Sequence, residues 1–164
     1  MKILVISDTH GDKRRMEHVI ANNQDVDLII HCGDSELEAA YFDNKEIQIV
    51  RGNCDFDEHY PEERILELNQ ERFLVVHGHK HNVKSTLMPL FYRAKEAEAT
   101  VVCFGHSHLL GAELQDGILF VNPGSLTNPR GRKEKSYALL EKNDSNWIVT
   151  FFNEENKEIE KGIF

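Results

Sequence analysis

Residues 1–10 read MKILVISDTH, in which four consecutive apolar residues are followed directly by polar ones. The run Lys2–Ser7 is short and β-branched, which predicts a buried strand. Similar runs follow at Leu28–His31 and Ile47–Arg51, with helical spacing between the first two and a second helix expected to start near Ser35. This β-α-β-α-β order predicts parallel strands in a sheet that is covered on both faces.

The rest of the chain favours antiparallel strands. A hairpin is predicted around Asn69-Gln70-Glu71, and both Gln115-Asp116-Gly117 and Asn143-Asp144-Ser145 are typical turn sequences. A helix from about Ser85 to Ala97 leads into a strand at Thr100–Phe104. The other predicted strands are Arg64–Leu68, Arg72–Val76, Leu110–Leu114, Ile118–Val121, Tyr137–Leu140 and Trp147–Phe152.

The domain organisation follows from what separates these elements. A length of 164 residues suits one domain, and no Pro-, Gly- or Ser-rich linker interrupts the chain. We therefore expect a single domain of residues 1–164, made of two sheets packed face to face with helices outside. The charged tail from Asn153 is expected to be poorly ordered.

Charge and cysteine content exclude several classes of protein. Nineteen Lys plus Arg against 28 Asp plus Glu give a net charge of −9, which argues against stable binding of long nucleic acids or anionic membranes. No apolar run approaches the roughly 20 residues of a membrane span, and the first apolar run is too short for a signal peptide. Cys32, Cys54 and Cys103 are odd in number and widely spaced, which favours reduced thiols and a cytoplasmic location.

Metal-binding residue types recur just past the carboxyl ends of the predicted strands. Ligands of open α/β sheets bind at that edge, and adjacent glycines permit tight turns there. One such group alone is typical of a turn, whereas a set in matching positions indicates a site. The groups are Asp8-Thr9-His10, Gly33-Asp34, Gly52-Asn53, His77-Gly78-His79 and Gly105-His106-Ser107-His108.

Together these groups supply two Asp, one Asn and four or five His side chains. That is too many ligands for one tetrahedral ion, and the mixture of oxygen and imidazole suits Mn, Fe, Ni or Zn. A pair of ions sharing a carboxylate fits better, and such a pair can clamp a phosphate and lower the pKa of a bound water.

The order of these motifs resembles the calcineurin-like metallophosphoesterases. The match spans residues 8–108, and the strand pattern continues to about residue 152. The short length, the form Gly52-Asn53-Cys54-Asp55 and the later Asn122-Pro123-Gly124-Ser125 are similar to the small bacterial and archaeal phosphodiesterases of that superfamily. The resemblance implies a four-layer αββα sandwich of the α/β class, with two mixed β-sheets flanked by helices.

The resemblance also implies a role for each ligand, and with it a metal-dependent hydrolase acting on a small phosphodiester. A hydroxide between two metals would attack phosphorus in line, with Asp34 and Asn53 as catalytic residues of the centre. We expect two divalent cations, Mn²⁺ first, with Ni²⁺, Fe²⁺ and Zn²⁺ as alternatives. Asp8, His10 and His108 would hold the first metal, Asn53, His77 and His106 the second, and Asp34 would bridge them.

Cys54 departs from the family pattern, because most members have a His there that protonates the leaving group or steadies the transition state. A thiol with a pKa of about 8.5 is a poor acid at neutral pH, so we expect better turnover of activated esters. His79, and less so His81, could supply the missing acid. Cys54 as a nucleophile is disfavoured, since no partner base is evident, and the role of Asp55 is left open.

Two further features of the sequence, a histidine in a predicted strand and a basic segment, each allow two interpretations. His31 is either a hydrogen-bonded core histidine or a residue that orients a ligand. The basic segment Arg130-Gly131-Arg132-Lys133 is either a solvated loop or a contact for an anionic substrate.

Alternative functions also remain. One is a non-catalytic interaction scaffold, because a eukaryotic retromer subunit resembles these small phosphodiesterases and acts mainly as an interaction module. Others are a phosphomonoesterase and a nuclease for short oligonucleotides. A homo-oligomer formed through an edge strand or an apolar face is left open.

Overall fold

Two β-sheets pack face to face, and each carries one α-helix on its outer side. The structure is a computed structural model, and it describes residues 1–143 and 145–164. The helices are α1 (Lys13–Ala21) and α2 (Met88–Glu96), with short 3₁₀ turns at Ala39–Tyr41 and His79–His81. The strands are β1 (Lys2–Ile6), β2 (Leu28–His31), β3 (Ile47–Ile49), β4 (Glu63–Leu68), β5 (Glu71–Val76), β6 (Val101–Cys103), β7 (Leu110–Gln115), β8 (Ile118–Pro123), β9 (Ser136–Lys142), β10 (Trp147–Asn153) and β11 (Glu158–Ile163).

Both sheets are mixed, as the family resemblance implies. The first has the order β11-β10-β9-β1-β2-β3, in which β1, β2 and β3 are parallel and β9 to β11 are antiparallel. The second has the order β4-β5-β6-β8-β7, in which β5, β6 and β8 are parallel. The fold is therefore the expected αββα arrangement, with a single α-helix in each outer layer of the described chain.

The apolar run in β1 is continuous because the two faces of the strand meet different layers. Ile3 and Val5 are buried between the two sheets. Leu4 and Ile6 point the other way, into a cluster with Met16 and Val19 of α1. Successive side chains of a strand alternate between faces, so a strand covered on both sides has no polar position to offer.

α2 covers the second sheet in the same way. Its buried Leu90 and Ala94 pack against Leu74 of β5 and Val102 of β6. α1 begins at a cap, because the side chain of Asp12 accepts the backbone N–H of Arg15. In the described residues, neither helix is long and apolar enough to cross a membrane.

The helix predicted from Ser35 does not form. Residues 35–46 run as a loop with one 3₁₀ turn, and Glu36 has a left-handed φ of 54°. Side-chain oxygens accept hydrogen bonds from the backbone N–H groups that would form the first turn of a helix there. Asp55 accepts from Glu36 N at 2.7 Å, Ser35 Oγ from Leu37 N at 3.2 Å, and Asp57 from Ala39 N at 2.8 Å. Such local bonds compete with the helical ladder.

The tail and the antiparallel half also differ from expectation. Residues 158–163 are not poorly ordered but form β11, which pairs with β10, because Ile159 and Phe164 have core surface to pack against. β8 is antiparallel to β7, yet its other edge pairs parallel with β6. The turn predicted at 143–145 includes Asp144, which lies outside the described residues.

Candidate metal centre

The loops that follow β1, β2, β3, β5 and β6 meet at one edge of the molecule. Donor atoms of Asp8, His10 and His108 lie within 4.8 Å of one another, and so do those of Asp8, Asp34 and His77. The structure thus brings the two carboxylates and three of the predicted histidines into one cluster.

The two remaining predicted ligands border this cluster. Asn53 Oδ1 is 3.2 Å from His77 Nε2. The ring of His106 lies 5.1 Å from that of His77, centroid to centroid. All seven side chains that the sequence singled out as ligands are therefore neighbours.

Backbone conformation turns these side chains toward each other. Asp8, His10, Asp34, His106 and His108 all have positive φ, between 43° and 67°. Residues other than glycine rarely adopt this left-handed region, and such strain clusters at functional sites. Here each left-handed residue follows a buried strand.

The glycine beside Asn53 is required by close approach. A Cβ at Gly52 would overlap the carboxylate of Asp34, so a larger residue would push that side chain out of place. Gly105 is restricted in the same way, because its Cβ would overlap Ser7 and the carboxylate of Asp8.

Three histidines are oriented by oxygen acceptors on their Nδ1 side. His77 Nδ1 is 2.7 Å from Cys32 O, and His108 Nδ1 is 2.6 Å from Asn128 O. His10 Nδ1 is 2.5 Å from Glu36 Oε1. If Nδ1–H donates in each pair, Nε2 is left with a free lone pair facing the cluster, which is the arrangement of metal-binding histidines.

In each carboxylate, one oxygen accepts hydrogen bonds that fix its position, and the other oxygen faces the histidines. Asp8 Oδ2 accepts from Ser7 Oγ at 2.6 Å and from His106 N at 3.1 Å. Asp34 Oδ1 accepts from Cys54 N at 2.7 Å. Asp8 Oδ1 is buried and has no hydrogen-bond partner among the described residues. A buried carboxylate oxygen without a partner is costly unless a cation completes it.

Distances between donor atoms fit divalent cations. His108 Nε2 is 3.0 Å from Asp8 Oδ1, and His77 Nε2 is 3.3 Å from Asp34 Oδ2. His10 Nε2 is 3.4 Å from His108 Nε2. Neighbouring ligands on one ion with bonds of about 2.1 Å are separated by roughly 3.0–3.4 Å. The residues present therefore match a metal centre in chemistry and in spacing.

The charges at the site point the same way. Burial opposes ionisation of Asp8, yet the neighbouring imidazoles of His108 and His77 lower its pKa below the usual value. Asp34 is buried too, and contacts with His77 and the amide of Cys54 lower its pKa well below its ordinary range. The same contacts raise the pKa of His77 and of His108, so protonated imidazoles supply the compensating positive charge when no cation is bound.

Asp55, whose role the sequence left open, holds the site's loops together. Its buried carboxylate accepts four hydrogen bonds, from Asp34 N at 2.8 Å, Gly52 N at 2.7 Å, Glu36 N at 2.7 Å and Ser35 Oγ at 3.1 Å. These bonds join the loop of Asp34 to the loop of Asn53.

Glu36 was not singled out by the sequence. It contacts His10 across 26 positions of the chain, and its carboxylate also lies near the thiol of Cys54. In the sequence, Glu36 is distinguished only by its position two residues after Asp34, and that position alone does not predict a role in the site.

Cys54 and His79 stand at the rim of the cluster. Burial and the carboxylate of Asp34 raise the pKa of Cys54 to about 11, which keeps the thiol neutral and unlike a nucleophile. His79 is half-buried, with its ring 5.3 Å from that of His77. Burial and His77 lower the pKa of His79. Its role as general acid stays a prediction.

The structure also shows the surroundings of His31 and of the basic segment 130–133, for which the sequence allowed two interpretations each. His31 is a buried, hydrogen-bonded core histidine, with Nε2 3.0 Å from Thr9 Oγ1 and Nδ1 accepting from Gly33 N at 3.1 Å. It thereby tethers two loops of the site. Residues 130–133 are exposed, and Arg130 N donates to His108 O at 3.0 Å.

Comparisons with known proteins agree with this geometry. Residues 1–145 match the model of the calcineurin-like phosphoesterase superfamily domain. The chain is 42% identical over 161 residues to "Probable metallophosphoesterase YsnB" of Bacillus subtilis, covering 98% of this chain and 95% of that protein. It is 30% identical over 144 residues to "Phosphodiesterase MJ0936" of Methanocaldococcus jannaschii, covering 76% and 83%.

Solved structures include one with nearly the same fold. A crystal structure from Streptococcus pneumoniae, described as that of a predicted phosphoesterase, superimposes with a TM-score of 0.93 at 36% identity. It covers 99% of this chain and 96% of that one.

Proposed function

This chain belongs to the calcineurin-like phosphoesterase superfamily, and we propose that within it the protein is a metal-dependent phosphodiesterase acting on a small phosphodiester. The observation that carries the proposal is the paired, buried carboxylates of Asp8 and Asp34 with imidazole Nε2 atoms about 3 Å away. Such a donor set binds divalent cations of the kind that phosphoester hydrolysis uses.

We propose two ligand sets. Asp8, His10 and His108 would hold one cation, and Asn53, His77 and His106 would hold the other, with Asp34 between the two sets. When bound, the cations supply positive charge for the phosphate oxygens and lower the pKa of a water. The protein's part is orientation, since the Nδ1 contacts of the histidines and the anchored carboxylate oxygens fix the donors before a cation arrives.

A diester with a good leaving group suits the rim of this site. Cys54 stands where most of the superfamily has a histidine, and its neutral thiol is a weak proton donor at pH 7. A leaving oxygen of low basicity, as in an aryl ester, departs without a strong acid. We propose His79 as the residue that protonates less activated leaving groups.

We propose Mn²⁺ as the native metal, with Ni²⁺, Fe²⁺ and Zn²⁺ as alternatives that the same donors accept. We also propose a cytoplasmic location. Cys32, Cys54 and Cys103 are free thiols in the described structure, which suits a reducing compartment.

The test compares bis-(p-nitrophenyl) phosphate with p-nitrophenyl phosphate, using protein stripped of metal and refilled with Mn²⁺. We expect turnover of the diester that falls at least 100-fold in Asn53→Ala. The matched control is Asn22→Ala, an exposed amide at the end of α1 that should keep full activity.

Three results would contradict the proposal. Equal diester turnover in Asn53→Ala would place the reaction elsewhere. Preference for the monoester would make the protein a phosphatase. Two bound metals, measured by elemental analysis, with no turnover of either ester would favour the interaction scaffold.

A further inference from the structure

A cavity of about 520 Å³ opens beside the loop that carries His106 and His108. This volume lies within the range of small-molecule sites. The cavity lies on the α2 side of the second sheet, because Phe104 and Phe120 belong to the same apolar cluster as Leu90 of that helix. Its apolar wall consists of Val83, Leu87, Phe104, Leu109, Ala112 and Phe120.

The cavity adjoins the metal centre through a shared loop. Ser107, the residue between His106 and His108, lines the cavity and is held there by Asn122 Nδ2 at 2.9 Å. Arg130 lines it from the other side, next to the backbone of His108. The cavity and the metal centre therefore share the loop of residues 106–108, and none of the seven proposed ligands lines the cavity itself.

The charges at the cavity favour an anionic ligand with an apolar body. Lys84 and Arg130 line it together with one acidic residue, Glu113, in a chain whose net charge is −9. Leu109 at the cavity is 50% exposed, so apolar surface is available for a ligand to cover.

We propose that this cavity receives an apolar aromatic ester group of a phosphodiester whose phosphate lies at the metal centre. Phe104 and Phe120 contribute a buried aromatic lining, 6% and 1% exposed, and Leu109 contributes the exposed apolar surface that a flat group would cover. The side chains of Lys84 and Arg130 suit the phosphate that this group carries. This inference rests on the proposed function, because it assigns the substrate class of the same site.

Gly111 provides a way to fill the cavity without disturbing the fold. It lies on β7 and lines the cavity, and a Cβ built there has no neighbour within 4 Å. Its φ is not positive, so a side chain causes no backbone strain. Gly111→Leu should occupy the space of the ligand, and Gly111→Ala is the matched control that leaves most of that space free.

The experiment is calorimetric titration of the Mn²⁺-loaded protein with phenylphosphonate and with methylphosphonate, neither of which has an ester bond to hydrolyse. We expect phenylphosphonate to bind about tenfold more tightly to the wild type and to Gly111→Ala, because the ring is buried. In Gly111→Leu the two affinities should become equal. Thermal melting of both variants checks that they fold.

A second pair of variants tests the charges. Arg130→Ala should weaken phenylphosphonate binding severalfold, whereas Lys133→Ala, an exposed cation of the same loop outside the cavity, should not. Equal effects of the two variants would indicate general attraction and count against the proposal.

The outcomes separate this inference from the proposed function. Equal binding of both phosphonates by the wild type overturns the inference, even if diesters are hydrolysed. A preference for phenylphosphonate that Gly111→Leu removes supports the cavity as an aryl site. If no diester is turned over in that case, the proposed hydrolysis is overturned instead.

Discussion

At the scale of single residues, the carboxylate of Asp55 determines how the loops of Asp34 and Asn53 sit together. Its Oδ2 accepts from Asp34 N and Gly52 N, and its Oδ1 accepts from Glu36 N and Ser35 Oγ, so each oxygen has two donors. Hydrogen bonds to a charged acceptor contribute more than neutral ones, about 1.5–3 kcal/mol each as a net contribution to stability.

Asp55→Asn should therefore destabilise the protein by about 2 kcal/mol. The NH₂ group of asparagine is itself a donor, so the N–H groups that bond to that carboxylate oxygen would lose their acceptor. The free energy of unfolding in urea measures this loss. Asp43→Asn, at an exposed acid, should stay within about 0.5 kcal/mol of the wild type. Equal stability of Asp55→Asn and the wild type would show that solvent replaces these bonds.

The proposed ligands could be predicted from the sequence, whereas the residues that position them could not. Each of the seven proposed ligands follows an apolar strand, and strand ends are readable from local pattern. Asp55 and Glu36 act through contacts that join separate loops, 26 positions apart for Glu36 and His10. Local pattern carries no information about such pairs, so their roles appeared only in the structure.

At the scale of elements, β11 shows how packing outweighs local composition. Half of the residues in Glu158–Ile163 are charged, which favours solvent, yet the segment pairs with β10. Phe164 explains why, since its backbone N and O both bond to Trp147 and its ring packs against the core between the sheets. Apolar contacts of Ile159 and Phe164 at the two ends of this strand, together with its pairing to β10, hold it on the sheet.

Phe164→Ala should loosen this edge and expose Trp147, the only tryptophan of the chain. We expect a loss of about 1–2 kcal/mol in unfolding free energy, as a half-buried aromatic is removed, and a red shift of the tryptophan fluorescence. Ile163→Ala is the control, because that side chain is 66% exposed. An unchanged emission maximum in Phe164→Ala would contradict the proposed packing.

The core strands could be predicted from local sequence patterns, but the loop that follows Ser35 could not. The strands of the core were predictable because runs such as Lys2–Ser7 are apolar on both faces. The helix expected from Ser35 failed because Asp55 and Asp57, some twenty residues later, take its first N–H groups. Helical propensity is a weak guide where distant side chains compete for the backbone.

At the scale of the whole molecule, the candidate centre lies where the two sheets meet. Asp8 follows β1 of the first sheet and accepts the amide of His106, which follows β6 of the second. His77, after β5, contacts the carbonyl of Cys32, after β2. A cation bound by Asp8 and His108, or by His77 and Asp34, would link the sheets directly.

Metal binding should accordingly stabilise the whole fold. A ligand at 100 times its dissociation constant adds about 2.7 kcal/mol, which for a chain of this size raises the melting temperature by roughly 5–10 °C. We expect that rise when Mn²⁺ is added to chelator-treated protein, and its loss when excess chelator returns. Asn53→Ala should show a smaller rise because one ligand set is incomplete, whereas Asn22→Ala should match the wild type. An equal rise in both variants would mean that Mn²⁺ stabilises the fold from some other place.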